Sequence, residues 1–310
     1  MKLWGRAKAM SGQHQPIHLH VGGQTTGAED FVVYLAANRA GLRRAGYGLF
    51  CFDVMAAGAD GLSDALPAPG ADPSETGAAS AALARRFAPD RKTGEEGFVI
   101  SAPDLAGPVS ELLLGRFYPN ARARARVLRQ ALGQRVDRLV LAVQPYEVLF
   151  HSVWMALALN RRMDPFADYA AALAQFQGGW ADLAQILTEE LEVRELVIQA
   201  APANTAQMLN ALVPGLALRQ PIQPLPKPRA TPGAVAMVQR LIGQTIKLQA
   251  GQRDRLVAFH ARQPQVRPDF GMSALALSDL RGRYIADLHM LAHSEGARVI
   301  GAPEPALAAE

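Results

Sequence analysis

Residues 17–30, IHLHVGGQTTGAED, constrain this chain more than any other stretch. An apolar run over 17–21 ends at the Gly22-Gly23 turn, and a helical pattern opens near Gly27. Strand, glycine turn and helix together make a phosphate cradle: glycines let the backbone approach an anion, and free N–H groups at the helix start point at it. A working cradle also carries a lysine that brings full charge to the phosphate. Here Gln24, Thr25 and Thr26 fill that place.

The rest of the chain repeats the alternation. Apolar runs at 48–53, 97–101, 138–143 and 196–199 predict four more strands. Helical patterns lie between them: 31–46 stopped by Gly46, 78–87, 120–132, 146–160, 165–176 and about 180–190. The 138–143 run, RLVLAV, is apolar enough for a central parallel strand covered on both faces. Strands alternating with helices predict a parallel sheet, and ligands of such sheets sit beyond the strands' carboxyl ends. Those ends are the glycine turn, Ser101 and Gln144. Residues 55–76, rich in Ala, Gly, Pro and Asp, read as a long surface loop. Five prolines between 221 and 232 make an extended connector, followed by helices at about 233–249, 254–262 and 278–297 and a frayed tail, 301–310. The expected division is one domain over 1–310, with an α/β core at 13–220 and a connector plus helical portion at 221–300.

With 310 residues and 49% hydrophobic side chains, the chain can bury a large core. Lys+Arg 32 against Asp+Glu 28 leaves a net +4, which suits an anionic ligand and is too weak for a nucleic-acid partner. The single cysteine, Cys51, excludes a disulfide framework and a cysteine-based metal site. No apolar segment follows Lys2, Arg6 and Lys8, and no run is long enough to span a membrane, so a cytoplasmic protein is expected.

Each chemistry-bearing residue has a plainer reading beside it. His20 is either a polar group beside the glycine turn or a histidine packed under the sheet. His289 and His293 share a helix face without the intervening glutamate of a zinc helix, so no metal is expected. Ser101 lacks a G-x-S-x-G setting and reads as a strand-end cap. Asp104 is placed to act as a base. Arg122, Arg126 and Arg129 fall on one helix face, a solvated face before it is an anion site.

Taken in order, the pieces resemble bacterial sulfotransferase-family proteins of the P-loop type. His20-Val21-Gly22 and Thr26-Gly27 match the family's opening loop, and Asn38-Arg39, Leu42-Arg43 and Gly46 match its N-R-x-x-L-R-x-x-G segment. Phe117-Tyr118-Pro119, Pro165 to Tyr169 and Arg283 to Asp287 are also of the family's type. The resemblance implies a three-layer α/β fold, a P-loop NTPase-like parallel sheet flanked by helices, with a helical C-terminal portion. It implies 3′-phosphoadenosine 5′-phosphosulfate as the sulfuryl donor and a carbohydrate or small-molecule acceptor. Gly22, Gly23, Gln24, Thr25, Thr26 and Gly27 would hold the 5′-phosphate, and Gln144 and Ser152 the 3′-phosphate.

The departures fall on the chemistry. Thr25 stands at the lysine position, Ala28-Glu29 at the paired threonines, Gln144 at the arginine, and Pro103 at the glutamate that acts as base, with Asp104 adjacent. Losing one preorganised donor costs about 3–4 kcal/mol of barrier. The resemblance therefore implies a catalytically impaired protein acting as a binding or regulatory partner. The alternatives are an active sulfotransferase with rearranged groups, Thr25 and Asp104 among them, and a carbohydrate-binding module fed by the 55–76 loop.

Overall fold

Six strands form one all-parallel sheet: β1 (Ile17–Gly22), β2 (Tyr47–Cys51), β3 (Gly97–Ser101), β4 (Arg138–Val143), β5 (Glu195–Ala200) and β6 (Ala297–Ile300). Their order is β2-β3-β1-β4-β5-β6. The computed structural model describes residues 15–22, 28–52, 65–66, 73–91, 97–200, 204–218, 230–264 and 270–301.

The order reverses direction at β1. The chain leaves β1 outward to β2, returns to β3 beside β1, then passes over β1 to β4 and on to β5 and β6. Because such connections are right-handed, reversing direction sends the helices to opposite faces. One face is covered by α1 (Ala28–Ala37), α2 (Arg39–Arg44) and α8 (Thr205–Leu212), whose Phe31, Tyr34, Leu42 and Met208 pack on Leu49, Val99, Val140 and Val197. The other face carries α3 (Pro73–Arg91), α4 (Ala121–Leu132), α5 (Tyr146–Ala158), α7 (Trp180–Leu191) and α11 (Ala274–Ala292) in one apolar cluster with Leu19, Ile100, Leu141 and Ile198. A short α6 (Ala170–Ala174) adds Leu173 to that cluster, and α9 (Pro232–Gly243) and α10 (Ala250–Ala261) pack together, with α9 against α5. The result is the expected three-layer α/β arrangement, with its topological reversal at β1.

Several boundaries differ from the sequence reading. The expected 31–46 helix breaks at Asn38, whose side-chain amide donates to the Tyr34 carbonyl at 3.0 Å and diverts the backbone there. The helix expected at 78–87 starts earlier, at Pro73, which suits a first helical position, so 73–76 are not loop. The remainder of the 55–76 loop, apart from 65–66, lies outside the described residues, as do 219–229 of the proline connector and 302–310 of the tail. The expected 165–176 helix is a 3₁₀ turn, Phe166–Tyr169, followed by α6. The C-terminal portion is not wholly helical: β6 pairs with β5 from Leu196 to Gln199. The ARVI run is short, half-buried and directly follows a helix, so period-2 alternation has no room to show.

Candidate functional site

The carboxyl ends of β1, β3 and β4 lie side by side in the sheet. Gly22 closes β1 beside Ala142 of β4. Gly23, Gln24, Thr25, Thr26 and Gly27, and the side chain of Glu29, lie outside the described residues; α1 begins at Ala28.

At the end of β3 the Ser101 hydroxyl is hydrogen-bonded to His20 Nδ1 at 2.9 Å, and the two residues are register partners. His20 is fully buried with its ring edge-on to Phe31, and burial lowers its pKa to about 3. It is the packed, neutral histidine of the plainer reading, and Ser101 is its partner. Cys51 continues the same row on β2, with burial pushing its thiol up to about 12.

Asp104, itself half-buried, sits in an otherwise buried 3₁₀ turn, Pro103–Ala106, just beyond β3. That turn is clamped by Arg124, which donates Nε to the Leu105 carbonyl at 2.9 Å and Nη2 to the Asp104 carbonyl at 3.1 Å. Arg124 is 3% exposed; burial pulls its pKa down to about 10, and the Asp104 charge acts the other way. Burial, then the same carboxylate, raises the Tyr118 phenol. Arg124 was not a candidate from the sequence. The available signal was its position: helical spacing puts it in the apolar stripe with Ala121, Ala125 and Leu128, opposite the exposed Arg122 and Arg126.

Gln144 follows β4, is 3% exposed, and its carbonyl accepts from Trp180 Nε1 at 2.9 Å. Ser152 is half-buried on α5, about 9 Å along the axis from Tyr146 at 1.5 Å per residue. Two buried groups crowd the first turn of α5. Glu147 takes Arg281 Nε at 2.8 Å, and the Tyr146 hydroxyl donates to Asp287 of α11. Burial, with the Asp287 charge behind it, raises the Tyr146 phenol above its usual range.

Arginines reach this region, and each turns at least one donor onto the protein. Arg124 holds carbonyls, Arg281 holds Glu147, and Arg283 donates to the Phe176 and Gly178 carbonyls while lying 3.7 Å over the Phe176 ring. Arg122, Arg126 and Arg129 are far from free too: they pair with Glu189, Glu190 and Glu192 of and just after α7. His289 and His293 are exposed, with His293 Nδ1 donating to the His289 carbonyl. Among the described residues no group of three potential metal ligands occurs, and no helix is long and apolar enough to cross a membrane.

No family model matches the chain, and no curated protein matches its sequence.

Proposed function

We propose that this protein is sulfotransferase-like in descent and catalytically impaired, acting as a binding or regulatory partner rather than a sulfuryl-transfer enzyme. The observation that carries the reading is Gln144. A neutral side chain, almost wholly buried, occupies the end of β4 where the resemblance calls for an arginine on the 3′-phosphate. A doubly charged phosphate placed there would meet no charge-assisted donor from that position, and such contacts are the strong ones in phosphate recognition. Arg124 and Arg283 direct guanidinium donors at backbone carbonyls, and Arg281 Nε is held by Glu147. Asp104 sits at the β3 end beside Arg124, and a base role for it would have to work against that cation.

The test is a melting-temperature titration of the full chain with 3′-phosphoadenosine 5′-phosphate at low salt. A bound ligand at 100 times its Kd would stabilise by about 2.7 kcal/mol. The impaired-site reading expects no shift at roughly millimolar ligand. A clear shift that Gly27→Val or Ser152→Ala abolishes would overturn it. Sulfuryl release from 3′-phosphoadenosine 5′-phosphosulfate would then establish the active alternative, with Gln24, Thr25, Thr26 and Asp104 as the groups to substitute next.

A further inference from the structure

A concave site lies at the end of α5 away from Gln144. A groove of about 450 Å³ opens between the last turn of that helix and the α9–α10 pair. Its volume falls within the roughly 300–1,000 Å³ typical of small-molecule sites. Because α5 has 13 residues, the groove is about 20 Å from Gln144 and independent of the reading given for the strand ends.

The lining has two chemistries. Leu159, Val238, Ile242, Ile246 and Leu248 make an apolar wall, and Ile246 is exposed although apolar. Arg161, Lys247 and Arg253 stand along the same groove, and among the described residues no carboxylate lines it. None of the three cations forms an ion pair among the described residues.

The carbonyls at the end of α5 do not account for these cations. Gln239 Nε2 donates to the Ala158 carbonyl and, at 2.7 Å, to the Arg161 carbonyl. Asn160 is instead used to position a cation: its Oδ1 accepts from Arg253 Nη1 at 2.7 Å. Arg253 Nε is buried and has no hydrogen-bond partner among the described residues, which costs free energy in the absence of an acceptor. A fixed guanidinium with a buried unused donor, two more cations and an aliphatic wall are complementary to one kind of molecule.

We propose that this groove binds a single-chain aliphatic carboxylate of the fatty-acid type, with the carboxylate on Arg253, Lys247 and Arg161 and the chain along the Leu159–Ile242–Leu248 wall.

The experiment is calorimetric titration of the full chain with decanoate, beside acetate and decanol, on the wild type, an Arg161→Glu/Lys247→Glu variant and Ile246→Asp. All three substituted side chains are exposed, so melting curves should match the wild type. Saturable one-to-one binding of decanoate is expected, weakened about tenfold or more by the charge reversals, since each charge-assisted contact is worth more than a neutral one. Ile246→Asp should weaken it comparably, and acetate and decanol should each bind at least about tenfold less tightly, because each lacks half of the recognition. The proposal is overturned if decanoate does not saturate, if the double variant binds it unchanged, if acetate binds as tightly, or if the protein sediments with phosphatidylglycerol vesicles while ignoring free decanoate.

Discussion

The Tyr146 hydroxyl at the start of α5 donates to the Asp287 carboxylate of α11, and both oxygens receive the Trp180 backbone N–H, at 2.7 and 2.9 Å. Asp287 thus caps the N-terminus of α7 from 107 residues downstream, where an acidic side chain also suits the helix dipole. Gly179 makes the approach possible: a Cβ there would lie 2.7 Å from Asp287 Oδ2 and 2.8 Å from Tyr146 Oη.

Asp287→Ala should therefore destabilise the protein by about 2–3 kcal/mol, because a buried hydroxyl loses its acceptor and the Trp180 N–H keeps only the Tyr146 oxygen. Tyr146→Phe removes one donor and leaves the carboxylate on Trp180, so about 1–2 kcal/mol is expected. The two losses should not add, with a coupling above about 0.5 kcal/mol in a double-mutant cycle by urea unfolding. Additive losses would mean that the two side chains act separately.

His20 sets a pH dependence. Its pKa is about 3 in the folded chain and near 6.5 when unfolded, so unfolding takes up a proton between those values. The stabilisation is complete above pH 6.5 and is lost as the pH falls toward 3. Within that window stability should drop by about 1.4 kcal/mol per pH unit from this one group. A His20→Phe/Ser101→Ala variant, which removes the ring and its hydroxyl partner together, should lose that share of the slope. Equal slopes for variant and wild type between pH 6 and 4 would exclude His20 as its source.

Arg124 carries the turn that holds Asp104. Arg124→Met should cost about 2–3 kcal/mol, since the Asp104 and Leu105 carbonyls lose their donors inside the protein. Arg124→Lys should recover only part, because a point-like ammonium does not span two carbonyls as the planar guanidinium does. Full recovery by lysine, measured by urea unfolding, would show that charge alone matters there.

What the sequence showed clearly was the sheet from β1 to β5. β3 and β4 run over the residues expected of them, because central parallel strands are apolar on both faces and read as uninterrupted runs. The α8 helix went unread although Asn204 and Gln207 form a capping box at its start, a local signal that was present. The strand ends at Ser101 and Gln144 were legible because they follow from the strands. Arg124 on the Asp104 turn and Asp287 on Trp180 were not, since a partner 20 or 107 residues away leaves no periodic trace. The resemblance to a family located Arg283 to Asp287 as a segment; only the packing of α11 assigns Arg283 to the Phe176 and Gly178 carbonyls and Asp287 to α7.

The end of α9 offers a substitution that should stabilise. Thr245 donates its N–H to the Ile242 carbonyl at 2.9 Å, and Ile246 donates to the Leu241 carbonyl at 3.0 Å, the paired bonds of a Schellman stop. Thr245 is the residue that must be left-handed, and its φ is 61°. That conformation costs a β-branched residue about 1–2 kcal/mol that glycine does not incur. Glycine gives back part of the gain through a more flexible unfolded chain, which is worth up to about 1 kcal/mol. Thr245 is exposed, and among the described residues its hydroxyl bonds the neighbouring Gln244 carbonyl, at 2.6 Å, so little packing is lost. Thr245→Gly should raise stability by about 0.5–1 kcal/mol. A fall in the urea midpoint at unchanged slope would mean that the threonine side chain holds the Ile246–Leu248 wall of the groove in place, and decanoate binding should then weaken in the same variant.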